Sequence, residues 1–157
     1  ALVLAGRAYA EDAAAAPQVV MAKVQEACAL LEKERTAALA KFQGKDSPFL
    51  FEGTYIWVHT RDDGVMLMHP IKHKLNGQSV LGMKDSRGKR FFTTMNDVVK
   101  KNGSGWVEYY WPKPGTDDIV RKVTYVKGCK TADGIDVVVG CGLPKVDTVA
   151  TSGLGIY

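Results

Sequence analysis

The chain reads as an α+β fold: a long N-terminal helix packed on a five-stranded antiparallel sheet, with a helical insertion between the second and third strands. Three observations predict it. Residues 17–42 repeat apolar side chains at helical spacing. Five later segments alternate at strand spacing, and Gly, Pro and Asp punctuate them as hairpin turns do. At 157 residues the chain is long enough to bury one core.

The helix rests on the stripe Val20, Val24, Ala27 or Cys28, Leu31, Ala38, Leu39 and Phe42. Lys23, Glu26, Glu32, Lys33, Glu34 and Arg35 fall mostly outside it. Pro17 suits the first turn and Gly44 a C-terminal cap. A helix over 17–42 would run roughly 39 Å, about twice a typical strand. It would overhang a small domain, and would either pack along its whole edge or form a homodimer with a second copy.

The first strand, 54–59, sets Tyr55, Trp57 and His59 against Thr54, Ile56 and Val58, and Arg61-Asp62-Asp63-Gly64 forms the turn. The second, 65–69, ends where Pro70 stops the pairing. Residues 71–104 are Lys-rich and contain a helix over about 89–101, with Phe92, Met95 and Val99 on one side and Gly103 as its cap. Strands 105–111 and 119–126 form a hairpin, and a last strand covers 135–140.

The stretch 103–114, G-S-G-W-V-E-Y-Y-W-P-K-P, is the most distinctive. Val107, Tyr109 and Trp111 share one face, and Trp106, Glu108 and Tyr110 the other. The first face is wholly apolar or aromatic, with a phenol hydroxyl and an indole N–H as its polar handles. With a cation on the next strand it can hold a small organic anion; without one it is an aromatic core strand. Lys122 shares its face with Val120, Thr124 and Val126. If that face is covered, something negative must meet the ammonium. Alternation alone does not say which face that is. His69, before Pro70, is either a donor at a pocket mouth or a half-exposed strand end. His59 and His73 are expected in solvent.

The net charge of +4 is spread over Lys72, Lys74, Lys84, Lys89, Arg90, Lys100 and Lys101. No basic run argues for nucleic acid. Ala8-Tyr9-Ala10 matches a signal-peptidase site, so residues 1–10 read as a signal-peptide remnant and 11–157 as one exported domain, periplasmic or secreted. An oxidising compartment permits disulfides. Counting back from the turn at 131–134 puts Cys129 opposite residue 136 or 137, so a Cys129–Cys141 bridge would need Cys141 to lie past a bulge. Cys28, on the helix stripe, reads as an inert core thiol. No Ser/His/Asp motif, paired-carboxylate signature, phosphate-cradling loop or Cys/His cluster proposes an enzyme or a metal site.

In order, the segments Y-I-W-V-H-T-R-D-D-G-V-M-L-M-H-P, L-N-G-Q, K-D-S-R-G-K, G-S-G-W-V-E-Y-Y-W-P-K-P, R-K-V-T-Y-V-K and V-V-V-G-C-G follow the long helix. Over about residues 18–142 this succession closely resembles the single Cache domain family, extracytoplasmic sensor domains of chemoreceptors and histidine kinases that also occur as free periplasmic proteins. The resemblance implies a PAS-like sheet and a pocket between the sheet and the inserted segment, taking a small carboxylate such as acetate, propionate, pyruvate or lactate. With no catalytic motif in the sequence, the expected domain performs no catalysis and holds no cofactor. Carried over position by position, Lys122 would meet the carboxylate, and Tyr109 and His69 would donate hydrogen bonds to it. Trp111, Trp57 and Phe51 would wall the pocket. The absence of a second membrane span or output segment leads to the expectation of a free protein that reports to a membrane sensor or transporter. A haem-holding relative of the same fold is disfavoured, since only His69 could serve as an axial ligand. Residues 143–157 have no counterpart in the resemblance.

Overall fold

The central strands carry apolar side chains on both faces, so both faces of the sheet must be covered. The computed structural model describes residues 16–113, 115–144, 146–148 and 151–157. The expected signal remnant, 1–10, lies outside them. Helix α1 (Pro17–Lys33) covers one face. Helix α2 (Phe91–Asn102), with the insertion before it, covers the other. The strands are β1 (Leu50–Phe51), β2 (Thr54–Thr60), β3 (Met66–Met68), β4 (Ser104–Pro112), β5 (Ile119–Lys130) and β6 (Asp136–Gly142). Their order is β1-β2-β6-β5-β4, with every neighbour antiparallel and β3 also on β2. The expected α+β architecture is present, with β1 as an added strand too short to leave a periodic signal.

The helix expected over 17–42 stops at Lys33. Glu34 and Arg35 are extended. The turn between β5 and β6 takes the place of the next helical turn. The Ala132 N–H donates to the carbonyls of Leu31 (2.9 Å) and Glu34 (3.4 Å). The Asp133 carboxylate accepts from the Thr36 hydroxyl (3.0 Å) and N–H (3.3 Å). These contacts satisfy the helix's orphan carbonyls and start a separate 3-10 turn, Thr36–Phe42, whose Ala38 and Phe42 return to the same core. At 1.5 Å per residue α1 spans about 26 Å. The overhang that suggested a second copy is therefore absent.

The cysteine pairing is also corrected. Cys129 lies opposite Val137, as the hairpin count requires, but Cys141 lies opposite Tyr125, several residues along the ladder and out of reach. Cys28 faces Cys129 across the α1–β5 contact instead, and the two are bonded, with Cα atoms 5.8 Å apart and the residues 101 positions apart in sequence. Cys141 is free and fully buried, and burial pushes its thiol up to about 12.

Part of the tail left unplaced by the sequence edges the sheet. Ile156 bridges Trp106 in parallel, the Tyr157 N–H donates to the Trp106 carbonyl (2.9 Å), and the Glu108 N–H donates to the Tyr157 carbonyl (2.9 Å).

Candidate ligand-binding site

The site lies on the α2 face, and strand register assembles it. Tyr109 and Lys122 are direct partners across β4 and β5, so both side chains rise from the same face beside Val107, Trp111 and Thr124. Val107 and Val126 belong to the α2-side core, while Trp106, Val123 and Tyr125 belong to the α1 side. This settles the face that alternation left open: Lys122 points toward the insertion. On the neighbouring side β2 presents Tyr55, Trp57 and His59 to the same layer.

Gly140 on β6 lets the Trp57 ring lie flat against the sheet, because a Cβ there would overlap the indole. Gly140→Ala is expected to lower stability by about 1–3 kcal/mol and to change Trp57 fluorescence, read in urea titrations followed by tryptophan emission.

Two motifs hold the insertion down. In L-N-G-Q, Asn76 Oδ1 accepts the His69 N–H (2.7 Å). In K-D-S-R-G-K, buried Asp85 accepts the N–H groups of Arg87 (2.9 Å), Lys89 (2.8 Å) and Tyr110 (3.0 Å), tying the loop to β4. Burial opposes the Asp85 charge, but these donors outweigh it and hold its carboxyl below the usual range.

Between sheet and insertion lies a cavity of about 30 Å³ lined by Tyr55, Trp57, His69, Lys72, Leu75, Met83, Phe91, Phe92, Tyr109 and Trp111. Roughly 10–15 Å³ of such space holds one water, so it accommodates a group of two or three heavy atoms. A second chamber of about 180 Å³ adjoins it, sharing Tyr55, Trp57, Lys72, Tyr109 and Trp111 and adding Lys122, Ile71, Thr54 and Leu143 among its walls. Aromatic contacts fix the walls. Phe91 stacks on Tyr109 (4.4 Å, 9°), Trp111 tilts against Phe91 (5.2 Å), and Tyr55 lies 5.0 Å from the His69 ring. Tyr109 is pushed up to about 12 by burial, so its hydroxyl stays a neutral donor, with Thr124 at 3.4 Å. Burial raises Tyr55 further still.

His69 is buried, and its Nδ1 accepts the backbone N–H groups of Lys72 (2.9 Å) and Ile71 (3.3 Å). The proton of the neutral ring therefore sits on Nε2, which leaves His69, a lining residue of the cavity, a donor. Burial first, then Lys72 and His73, lower its pKa to about 4. Burial and Lys113 lower Lys122, and burial and Lys122 lower Lys72. Among the described residues neither lysine meets a carboxylate, and neither chamber is lined by one.

Of the residues expected from sequence, His69, Tyr109, Trp111 and Trp57 line the small chamber and Lys122 the adjoining one. Phe51 is elsewhere. It lies in β1 with Lys23 Nζ over its ring at 5.5 Å, and it borders an adjoining groove that shares Thr54, Tyr55 and Ile71 with the larger chamber. Its alternation on a two-residue strand turns it toward α1. His59 is a correction. It is fully buried and not solvated: Trp57 Nε1 donates to its Nδ1 (3.2 Å), and its Nε2 donates to Asn96 Oδ1 (2.7 Å). Strand β2 continues through it to Thr60, and Asn96 of α2 covers it. His73 is exposed. Sequence reasoning passed over Tyr55, Lys72, Phe91 and Asp85 as site residues. Only Tyr55 had a periodic signal, through its shared face with Trp57.

A helix on one face of an antiparallel sheet, and a chambered cavity under an insertion on the other, make this a PAS-like sensor domain. The chain belongs to the single Cache domain family: the family described as Single Cache domain 2 matches residues 18–152. Domains of this family are extracytoplasmic sensor modules of membrane receptors. The chain is 33% identical over 73 residues to the methyl-accepting chemotaxis protein McpP of Pseudomonas putida, covering 46% of this chain and 13% of that receptor. It therefore matches only a small part of that relative's length. It is also similar to a Cache chemosensory domain whose structure gives the basis for carboxylic acid recognition, with 29% identity and a TM-score of 0.65, over 82% of this chain and 92% of that one. The periplasmic sensor domain of a chemotaxis protein is 32% identical with a TM-score of 0.63, over 80% and 92%. Among the described residues no helix is long and apolar enough to cross a membrane.

Proposed function

We propose that the chain is an extracytoplasmic sensing module that binds a small carboxylate of two to four carbons and performs no chemistry on it. The observation that carries this reading is Lys122, presented beside Tyr109 into an aromatic chamber that holds no acid among the described residues. An ammonium drawn out of water without a partner is costly, and an incoming carboxylate removes that cost. The neutral donors Tyr109 and His69 favour an acceptor oxygen, and the aromatic walls favour a short alkyl end. A pocket of this kind discriminates by about 1–3 kcal/mol per methylene. The domain works in the periplasm or outside the cell and reports occupancy to a membrane sensor, in line with the receptor relatives.

Isothermal titration of ligand-stripped protein against acetate, propionate, pyruvate and lactate tests this. Micromolar binding of at least one acid is expected, weakened more than about tenfold, or 1.4 kcal/mol, in Lys122→Ala. A folded, stripped protein that takes up none of the four overturns the reading.

A further inference from the structure

The two chambers share Lys72, which no motif singles out. It stands on the insertion, three residues after His69. Its backbone N–H is fixed on His69 Nδ1 at 2.9 Å, and its ammonium lies 4.4 Å from the centroid of the Trp111 ring. The residue is exposed as a whole, yet its head is drawn inward over an aromatic wall. A cation–π contact of this kind is worth about 0.5–1 kcal/mol at an exposed site, so it parks the charge without locking it there. Lys122 lines the larger chamber from the sheet side, and after burial its charge is what lowers the protonation of Lys72. Two like charges facing one chamber with no acid between them are a mutual liability until an anion separates them.

We propose that Lys72 is a second cation for the ligand, so that a bound carboxylate is clamped between Lys122 on the sheet and Lys72 on the insertion, one oxygen toward each. This rests on the carboxylate reading above and adds two consequences to it. Specificity is for a fully ionised head group, because an amide offers one acceptor where the clamp wants two charged oxygens. Binding also joins the insertion to the sheet: Lys72 leaves the Trp111 ring for the ligand, and the segment 69–76, fastened through His69 and Asn76, is pulled down with it. Occupancy is thereby converted into a change in a segment of the site that lies outside the α-helices and the sheet.

The test uses Lys72→Met, which keeps the length and loses the charge, and Lys72→Arg, which keeps the charge. Propionate and acetate are the ligands, and propionamide is the uncharged control. Wild type is expected to bind an acid and not the amide. Lys72→Met should weaken binding about fivefold, the scale of one partly exposed ion pair, and Lys72→Arg by less than about twofold. Unliganded stability should differ among the three by no more than the small Trp111 contact that Lys72→Met gives up. Hydrogen exchange of 69–76 should slow on ligand addition in wild type and not in Lys72→Met. Wild-type binding with an unchanged affinity or unchanged exchange response in Lys72→Met overturns the clamp and leaves the carboxylate reading standing. No binding of either acid by wild type overturns both.

Discussion

Loss of the Cys28–Cys129 bridge is expected to cost about 4 kcal/mol, since it closes a loop of roughly 100 residues. Against the 5–15 kcal/mol typical of a whole domain, that is a large share. The bond joins the middle of α1 to β5, and the only other covalent path between them runs through β1 to β4. Without it, α1 depends on Val20, Val24, Ala27 and Leu31 packed against the sheet, and on the Ala132 contacts at its C-terminal end. The double variant Cys28→Ala/Cys129→Ala should melt on the order of 10 °C lower than wild type. Dithiothreitol should lower the wild-type midpoint to a similar degree and leave the variant unmoved. Equal melting of the variant and wild type, or insensitivity of wild type to reductant, would show that the bond does not form in solution. A disulfide of this span suits an extracytoplasmic domain.

Periodicity made the layers legible and left the contacts between layers dark. The α1 stripe marked Cys28 as buried but not what it would face. The hairpin count placed Cys129 opposite 136 or 137, but neither pattern could join two residues 101 apart. The same holds at the site. Alternation grouped Val107, Tyr109 and Trp111, and separately Val120, Lys122 and Thr124. What made one face of them was the Tyr109–Lys122 register, a long-range fact. Phe91 sits at the first residue of α2 and Lys72 in the insertion, where no period operates, so sequence gave no reason to choose them. The helix boundary failed for a related reason. The stripe continues through Ala38 and Phe42, and what ends α1 is a turn contributed by residues 131–134, invisible in the local pattern.

The two sides of the sheet are built for different tasks. The α1 side is cross-linked by the disulfide and packs aliphatic side chains together with Phe42, Phe49, Trp106 and Tyr125. The α2 side is aromatic, with its polar groups aimed at a chamber, and its insertion is held by two side-chain staples, Asn76 and Asp85. A ligand acting there pulls on the element with the fewest backbone ladder bonds, which is where a sensor's response is least costly.

Acid is expected to destabilise the domain from about pH 6.5 downward, before carboxylates begin to titrate, through His59 and His69. Both are held neutral by burial, with pKa values near 4 against an ordinary 6.5. For His59 the Asn96 hydrogen bond opposes this but does not prevail. Because the folded values lie below the unfolded ones, the unfolded chain binds more protons between those limits. The stabilisation is therefore complete above about pH 6.5, falls as the pH drops toward 4, and declines no further below that on their account. His59 alone accounts for about 3 kcal/mol across this window, and His69 for a similar amount. At pH 5 to 5.5 unfolding should take up close to two protons, read as the slope of stability against pH in urea titrations. His59→Gln is the discriminating variant: its amide can accept the Trp57 indole N–H and donate to Asn96, and it has no charge to gain. It should fold at pH 7 and show about one proton of uptake, and a slope left at two would remove His59 from the account. Binding has its own limb, because protonating His69 Nδ1 breaks its contacts with Ile71 and Lys72 and releases the insertion on which the proposed clamp depends.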